Sequence, residues 1–209
     1  MLVVDRAGLV QLCKERRAKR RASTSLPLDR VWDCMMRWIV DQLTRANGAA
    51  IPHLCTLTWR SDGKAHGSTP TKGSMTSGNV NRRYRPVCIF HERFLHDAGL
   101  KSRALTSSGV RAHELCKTET LNGTRLALNY STDLTKDDVF SGCRELVACI
   151  FTLASAEPDL AIDLAGVGVL MVSQRHAAFE FAPQFLPAHE REAAMARLVE
   201  IRKRAVPTN

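Results

Sequence analysis

Two stretches of the chain carry apolar residues at helical spacing, and each is followed by a strand-like run. The apolar face of the first helix comprises Trp32, Met35, Met36, Ile39 and Leu43. The apolar face of the second comprises Val139, Cys143, Leu146, Ile150 and Leu153. The strand-like runs are HLCTLTW, residues 53–59, and GVGVLMV, residues 166–172. Thr135 and Asp138 have capping-box spacing, which predicts that the second helix begins there.

These stretches belong to an internal repeat. FHERFL at 90–95 matches FAPQFL at 181–186 at an offset of 91, whereas the strand-like runs match at an offset of 113. Each copy therefore predicts a helix, a strand, a hairpin, a second strand and a short helix or turn. The two offsets place 22 extra residues in the first hairpin, within residues 60–86 (the arm). The arm is rich in Gly, Ser and Thr, so we expect it to be exposed and mobile.

The sequence LAGVGVLMV, from Leu164 to Val172, contains a Gly-x-Gly that has two interpretations. A phosphate-binding loop needs a helix directly after it, because the helix N-terminus holds the phosphate. Here Gly168 is followed by a strand-like run, and neither Rossmann nor P-loop spacing is present. We therefore interpret Gly166 and Gly168 as a turn that leads into an antiparallel strand.

Composition is typical of an intracellular globular protein. The chain has 209 residues, 44% apolar and 24% charged, which suits one or two small domains. No apolar run reaches the ~18 residues of a membrane span. The N-terminus has its basic block after its apolar start, the reverse of a secretory signal. We expect no disulfide framework, because the seven cysteines are odd in number and form no Cys-x-x-Cys pair.

The net charge of +9 is unevenly distributed. Residues 1–25 (the basic tail) and the arm each carry +5, whereas residues 126–187 carry three Lys/Arg against eight Asp/Glu. The candidate partner-binding residues are the cations of the tail and the arm: Lys14, Arg16, Arg17, Lys19, Arg20, Arg21, Arg60, Lys64, Lys72, Arg82, Arg83 and Arg85. Neither segment shows an apolar face, so we expect both to order only on a partner.

The basic tail alone leaves several interpretations open. Six cations in eight residues are typical of a solvated tail, a nuclear signal, a nucleic-acid site or a segment that binds the acidic surface of microtubules. The arm could also enter a DNA minor groove, with Pro70 as the wedge at its tip. The acidic character of residues 126–187 argues against DNA, because phosphates would be repelled.

No catalytic or metal-binding arrangement is found in the sequence. His91 and His96 are five residues apart, so they lie on different helix faces and form a poor metal pair. Ser107 and Ser108 lie near His113 but lack the Gly-x-Ser-x-Gly elbow of a hydrolase. We therefore expect no enzyme activity, no metal and no cofactor.

The order of helix, strand, arm, strand and helix resembles the bacterial HU/IHF fold. The residues are more similar to its eukaryotic branch, the tandem HU-like domains of the coiled-coil domain-containing protein 81 family. The matching stretches are VWDCMMRWIVDQL, IPHLCTLTW, RPVCIFHERFLHDAGLK, LALNY, VFSGCRELV and GVGVLMV, followed by Phe185 and Leu186. The resemblance implies an α+β fold of two tandem HU-like domains, each a helix packed on a small antiparallel sheet, plus terminal helices.

The resemblance, combined with the repeat, predicts five segments. They are a basic N-terminal segment (1–25), HU-like domain 1 with its arm (26–105), a linker (106–125), HU-like domain 2 (126–187) and a C-terminal helix (188–209). Because HU proteins are intertwined dimers, the two domains are expected to pair within one chain. The resemblance does not imply coiled-coil assembly, because the sequence shows no long coiled coil.

Two functions follow from the resemblance. The leading hypothesis is a structural protein of the cilium or flagellum, at the axoneme, basal body or centrosome, that binds tubulin or other axonemal or centrosomal proteins. The alternative is a nucleic-acid-binding architectural protein of HU type. On either hypothesis the aromatic residues Trp32, Trp38, Phe90 and Phe94 are expected to lie in the core.

Overall fold

The computed structural model describes residues 1–20, 26–61, 84–102 and 114–203. The first half of the chain forms β1 (Leu2–Val4), α1 (Arg6–Lys19), α2 (Leu28–Thr44), β2 (Gly48–Ile51), β3 (Cys55–Ser61), β4 (Tyr84–Phe90), α3 (Glu92–Asp97) and β5 (Lys101–Ser102). The second half forms β6 (Thr118–Thr120), α4 (Gly123–Tyr130), α5 (Lys136–Ala156), β7 (Asp159–Leu164), β8 (Gly168–Ser173), β9 (His176–Phe181), a 3-10 turn (Pro183–Phe185) and α6 (Ala188–Lys203). Most of the arm lies outside the described residues, so its expected mobility stays a prediction.

The internal repeat is confirmed by the order of the elements. The series α2, β2, β3, β4 and α3 recurs as α5, β7, β8, β9 and the 3-10 turn. In the first hairpin Cys55 pairs with Phe90, and in the second Gly168 pairs with Phe181. The chain between the paired residues is 22 residues longer in the first hairpin, as the two offsets predicted.

The turn at Gly166 and Gly168 was predicted at the right residues, but the strand that precedes it in each copy was missed. We expected it to lead into the first strand of each copy, but β2 and β7 precede it, so it joins the first strand to the second. In one copy Leu54 N–H donates to the Ile51 carbonyl at 3.1 Å, and in the other Val167 N–H donates to the Leu164 carbonyl at 2.8 Å. The sequence of β2, GAAI, is too short and small for a strand signal, whereas β7, DLAIDL, does alternate Leu160, Ile162 and Leu164 with polar or small residues, a signal that was overlooked.

Gly166 and Gly168 form a turn and not a phosphate loop, because β8 and not a helix follows them. Gly166 has a left-handed φ of +79°, and His53, its counterpart in the first copy, has a φ of +65°. The left-handed turn is thus common to both copies, although only glycine adopts it without steric cost. Gly168 is required by close approach as well, since a Cβ there would lie 2.2 Å from the Glu180 carbonyl oxygen.

Each sheet has an antiparallel centre, which parallel strands extend at both edges of one sheet and at one edge of the other. The centres are β2–β3–β4 and β7–β8–β9, which confirms the antiparallel sheet predicted for each domain. Three further strands make both sheets mixed. Strand β6 lies parallel to β2, β1 lies parallel to β7, and β5 lies parallel to β9. Each half of the chain therefore supplies a strand to the sheet of the other half.

The helices of the two copies form one core. The predicted apolar face of α2 is buried throughout, and on α5 only Leu153 remains half-buried. The two helices approach closely at Gly142, where a Cβ would lie 2.8 Å from Cγ2 of Val31. Trp32, Trp38 and the stacked pair of Phe90 and Phe94 are buried in this core, as predicted. Internal pairing of the two domains is thus confirmed.

Helix α5 is the central helix of this core. Among the described residues it alone is long and apolar enough to cross a membrane, but it contacts α1, α2 and α4 and buries Leu146 and Ile150 completely. Its N-terminus has the predicted capping box. Thr135 Oγ1 accepts from Asp138 N–H at 3.1 Å, and Asp138 Oδ2 accepts from Thr135 N–H at 3.2 Å.

The expectation that the basic tail lacks an apolar face was wrong. Helix α1 buries Leu9, Val10 and Cys13, and it packs on α2 and α5. Asp5 caps the helix by accepting from Gly8 N–H at 2.8 Å. Three buried positions are enough to anchor α1, because it packs on the longer helices α2 and α5. The sequence conceals this short apolar face because cations surround it.

We expect the two halves of the chain to fold only together. Fragments 1–107 and 108–209 expressed separately should be unfolded or aggregated, because each sheet loses an edge strand and each core loses half of its cover. Refolded together, they should form a one-to-one complex with a cooperative thermal transition, measured by analytical ultracentrifugation and circular dichroism. A monomeric fragment 108–209 with its own cooperative transition would contradict this.

Alanine substitutions should distinguish the role of Gly166, which is its left-handed φ, from that of Gly168, which is a close approach to backbone. Gly166→Ala should lower the free energy of unfolding by about 1 kcal/mol through its φ alone, because the added Cβ meets only Val40 at 3.8 Å. Gly168→Ala should cost about 2–3 kcal/mol, because its Cβ would overlap backbone. Urea denaturation measures both. Equal losses would refute the close approach at Gly168, and an ATP-dependent shift of the midpoint would refute the turn interpretation.

Candidate partner-binding cleft

The structure places the predicted partner-binding cations in two separate parts of the fold, helix α1 and the β3–β4 hairpin. Lys14, Arg16, Arg17 and Lys19 lie on α1, and Arg20 is its C-terminal cap. Of the arm cations, Arg60 lies on β3 and Arg85 on β4. The remaining five, Arg21, Lys64, Lys72, Arg82 and Arg83, lie outside the described residues.

The cations on α1 divide into two groups. Lys14, Lys19 and Arg20 are exposed, whereas Arg16 is half-buried between α1 and α5. Nη1 of Arg16 and Oε1 of Glu145 are both fully buried, and neither has a hydrogen-bond partner in the described part of the chain. Opposite charges buried in the same contact attract each other without direct contact. Arg16 therefore belongs to the packing of the fold and not to a surface open to partners.

Two thiols lie beside Arg16 and Glu145. Cys13 of α1 and Cys149 of α5 are both buried, and they form a side-chain hydrogen bond across the helix contact. This hydrogen bond and burial raise the pKa of Cys13 well above its ordinary value. Cys13 is therefore a neutral thiol at physiological pH, and it packs as a small apolar side chain.

The two arginines at the base of the arm are paired with carboxylates. Arg60 binds Glu114 at 3.2 Å, and Arg85 binds Glu190 of α6 at 3.2 Å. The two arginines stand opposite each other in the β3–β4 register. Their charge is thus partly neutralised by carboxylates from two other parts of the chain.

Arg17 and Arg20 line a cleft of about 840 Å³ that is built by both halves of the chain. The first half supplies the end of α1, the β2–β3 turn and α3, and the second half supplies Leu121, Gly123 and one side of α5. This cleft is at the end of the β3–β4 hairpin opposite to the arm. We call it the interhalf cleft.

The floor of the interhalf cleft is apolar. Phe94 of α3 and Phe151 of α5 pack edge to face with their ring centroids 6.2 Å apart. Val147 lies half-buried one helical turn before Phe151. Phe140 lies at the mouth with 57% of its surface exposed, and the Arg144 guanidinium sits 5.6 Å from its ring centroid. Such an exposed aromatic side chain can bury additional area on a partner.

The rim of the interhalf cleft is mainly cationic. It comprises four arginines and two carboxylates: Arg17, Arg20, Arg93, Arg144, Asp97 and Glu145. Hydrogen bonds from His96 and Arg93 lower the pKa of Asp97, so that carboxylate stays ionised. The four arginines exceed the two carboxylates, and the rim therefore favours an anionic ligand.

The predicted chemistry of the histidines can be compared with their positions. His91 is the N-terminal cap of α3, and His96 lies in its last turn, where Nδ1 is 3.0 Å from Asp97 Oδ1. Burial lowers the pKa of His91. No group of three metal-ligating side chains occurs within the described residues. Ser107, Ser108 and His113 lie outside them.

Sequence reasoning found Arg17 and Arg20 but missed the other members of the cleft. Phe140, Arg144 and Phe151 are spaced by four and seven residues, so they share a second face of α5 next to the one that forms the core. This spacing was the available signal. It was hidden because the face includes a cation, and because its neighbours on α1 and α3 are distant in sequence.

Comparison with known families identifies both halves of the chain. Residues 8–102 match the family described as CCDC81 eukaryotic HU domain 1, and residues 117–192 match CCDC81 eukaryotic HU domain 2. No curated protein matches the chain. The boundaries predicted above, 26–105 and 126–187, stay a prediction, although α1 and β6 fall inside or at the edge of the matched ranges.

Substitutions in the basic tail should separate packing from surface charge. Arg16→Gln should lower the free energy of unfolding by about 1–2 kcal/mol, because Glu145 keeps a buried charge without its opposite. Lys19→Gln should change it by less than about 0.5 kcal/mol. Urea denaturation of the two variants, of Glu145→Gln and of the Arg16→Gln/Glu145→Gln double variant measures the coupling. Strictly additive losses would show that Arg16 and Glu145 do not interact.

Proposed function

Since the chain belongs to the CCDC81 eukaryotic HU-domain family, we propose that it is a non-enzymatic structural protein of the ciliary or flagellar cytoskeleton. Its place would be an axonemal doublet microtubule or a basal body, and its partners would be tubulin or other axonemal or centrosomal proteins. Family resemblance supplies the cytoskeletal setting. The geometry supports binding of proteins over binding of nucleic acid, for the reasons that follow.

The observation that carries the proposal is the asymmetry of the two hairpins. In the first copy, 22 residues (62–83) separate Ser61 from Tyr84. In the second copy, only Gln174 and Arg175 separate Ser173 from His176. Both residues of this short turn have left-handed φ, as in a tight hairpin turn. DNA bending of HU type uses two arms, and the second hairpin has no length for one.

Electrostatics support the same conclusion. Residues 126–187 carry three Lys/Arg against eight Asp/Glu, so the second half would repel phosphates. At the base of the arm, Arg60 and Arg85 already bind Glu114 and Glu190. The exposed cations of α1 remain available for an acidic protein surface. Binding of such a surface does not need two symmetric arms.

The alternative is an HU-type nucleic-acid-binding protein, and one observation favours it. The basic tail and the arm each carry +5 in a short length of chain, which is a typical footprint of phosphate binding. On this alternative the single arm would enter the minor groove. Competition between protein and DNA partners decides between the two functions.

Localisation tests the cellular setting. A fluorescently tagged copy expressed in ciliated cells should concentrate in cilia or at basal bodies, and it should stay on axonemes after detergent extraction. Immunogold labelling of the stripped axonemes then gives its position. A signal confined to nuclear or organellar DNA would refute the structural role.

A charge variant should test the contact with an acidic protein surface. Lys14→Gln/Lys19→Gln/Arg21→Gln should weaken cosedimentation with microtubules or stripped axonemes about tenfold, since each charge that is removed contributes ~0.5 kcal/mol. The matched control, Arg45→Gln/Lys101→Gln/Lys136→Gln, removes three cations elsewhere and should bind like the unmodified chain. Both variants are compared at one ionic strength, because salt screens these contacts.

The same measurement with duplex DNA as competitor distinguishes the two functions. Polymerised tubulin or stripped axonemes should outcompete DNA for the unmodified chain. If DNA wins and the tail variant loses only DNA binding, the nucleic-acid alternative is correct.

A further inference from the structure

The exposed face of α5 forms a continuous wall of the interhalf cleft. Phe140, Arg144, Val147 and Phe151 follow one another at intervals of four, three and four residues, so they lie on one side of the helix. The eleven helical steps from Phe140 to Phe151 extend about 16 Å, or three turns. The wall is therefore long enough to lie along three turns of another helix.

The apolar area of this cleft is open to a partner. Phe140 is one of six large apolar side chains that are exposed among the described residues, and it lies where the cleft meets solvent. Burying such a ring on a partner is favourable because it removes apolar surface from water. Val147, Phe151 and Leu121 continue the apolar strip inward and are each half-buried. A ligand with a row of apolar side chains would cover this strip.

The charges of the rim determine the sign of the partner. Arg17 and Arg20 stand on one side of the apolar strip, Arg93 on another, and Arg144 on the wall itself. Asp97 and Glu145 offset only half of this positive charge. A ligand whose apolar row is flanked by carboxylates therefore binds the cleft most tightly. A lysine-flanked ligand would be repelled.

The shape of the cleft favours a helix over an extended strand. Among the described residues, Ile51 is the one strand residue that lines the cleft, and it lies beside the β2–β3 turn at Pro52 and His53, where β2 is already paired on both sides. A peptide could not add to either sheet there. A groove of this kind is filled by the apolar face of a helix, at intervals of three and four residues.

The aromatic rings are arranged against binding of single-stranded nucleic acid. Base stacking needs an open ring face, but the face of Phe140 is covered by Arg144, and Phe94 is buried against Phe151. The carboxylates of Asp97 and Glu145 would also face the phosphates. Protein is therefore the class of partner that the cleft fits.

We infer that the interhalf cleft binds an amphipathic helix of a partner protein, with apolar residues along one face and carboxylates on both flanks. This inference goes beyond the proposed function, because it depends on the cleft alone and not on a ciliary setting or on the arm. The residues that carry recognition are Phe140, Phe151 and Val147 for the apolar row, and Arg17, Arg20, Arg93 and Arg144 for the carboxylates.

The test uses the full chain and a designed helical peptide. The probe is a fluorescein-labelled, lactam-stapled peptide of about 16 residues, with leucines at intervals of four, three and four and glutamates on both flanks. Fluorescence anisotropy should give a Kd on the order of 10 μM. The same composition scrambled to remove the apolar face should bind at least tenfold more weakly, and so should a version with lysine in place of glutamate.

Variants of the chain locate the binding. Phe140→Ser and Arg144→Glu should each weaken binding about tenfold, and neither should alter the fold because both side chains are exposed. The matched controls are Leu128→Ser, which removes another exposed apolar side chain, and Arg45→Glu, which reverses another exposed charge. Both controls should bind within twofold of the unmodified chain. Thermal melting verifies that all four variants stay folded.

Three results would overturn the inference. Equal binding of the scrambled peptide would show non-specific attraction, and equal effects of Phe140→Ser and Leu128→Ser would place the site elsewhere. If a single-stranded oligonucleotide binds more tightly than the peptide, and Phe140→Ser removes its binding, then nucleic acid is the occupant of the cleft. Failure of axoneme binding with intact peptide binding would refute only the proposed function.

Discussion

The exchange of edge strands between the two halves is the interaction on which the rest of the structure depends. An unpaired sheet edge exposes a row of backbone donors and acceptors, which must be satisfied by water or by another strand. Here β1 covers β7 in one sheet, and β6 covers β2 in the other. Because each covering strand comes from the opposite half, neither sheet is complete until both halves are present. The close approach of α2 and α5 at Gly142 then fixes the central helices of the two halves against each other.

The interhalf cleft is a product of the same exchange. Its walls come from α1 and α3 on one side and from α5 on the other, so it exists only in the paired molecule. Cys13 and Cys149 hold α1 against α5 beside the cleft, with Arg16 and Glu145 in the same contact, and Glu145 also lines the cleft. Stability of the fold and geometry of the cleft are therefore linked, which is why a variant in the α1–α5 contact cannot serve as a test of binding, whereas the exposed Phe140 can.

Local patterns in the sequence predicted much of the fold, and contacts between distant segments account for what was missed. The apolar faces of α2 and α5, the Thr135–Asp138 capping box and the left-handed turn at Gly166 depend on neighbouring residues, and each was predicted. Strand β2 has four residues without alternation, so it could not be predicted from its own residues, whereas β7 alternates and could have been recognised. The buried face of α1 needs α5 to cover it, and α5 is more than a hundred residues away. The cleft was missed for the same reason: Phe140 is an ordinary exposed side chain until α3 and the β2–β3 turn are placed opposite it.

The inequality of the two hairpins has a consequence for any array built from this molecule. A dimer of identical chains presents every surface twice, related by a two-fold axis, and looks the same from both ends. In this chain one hairpin closes in a two-residue turn while the other continues through residues 62–83, and the interhalf cleft is lined by unlike parts of the two halves. The molecule therefore has a head and a tail. Copies joined through unlike surfaces all face one way, so that a filament made from them carries direction along its length.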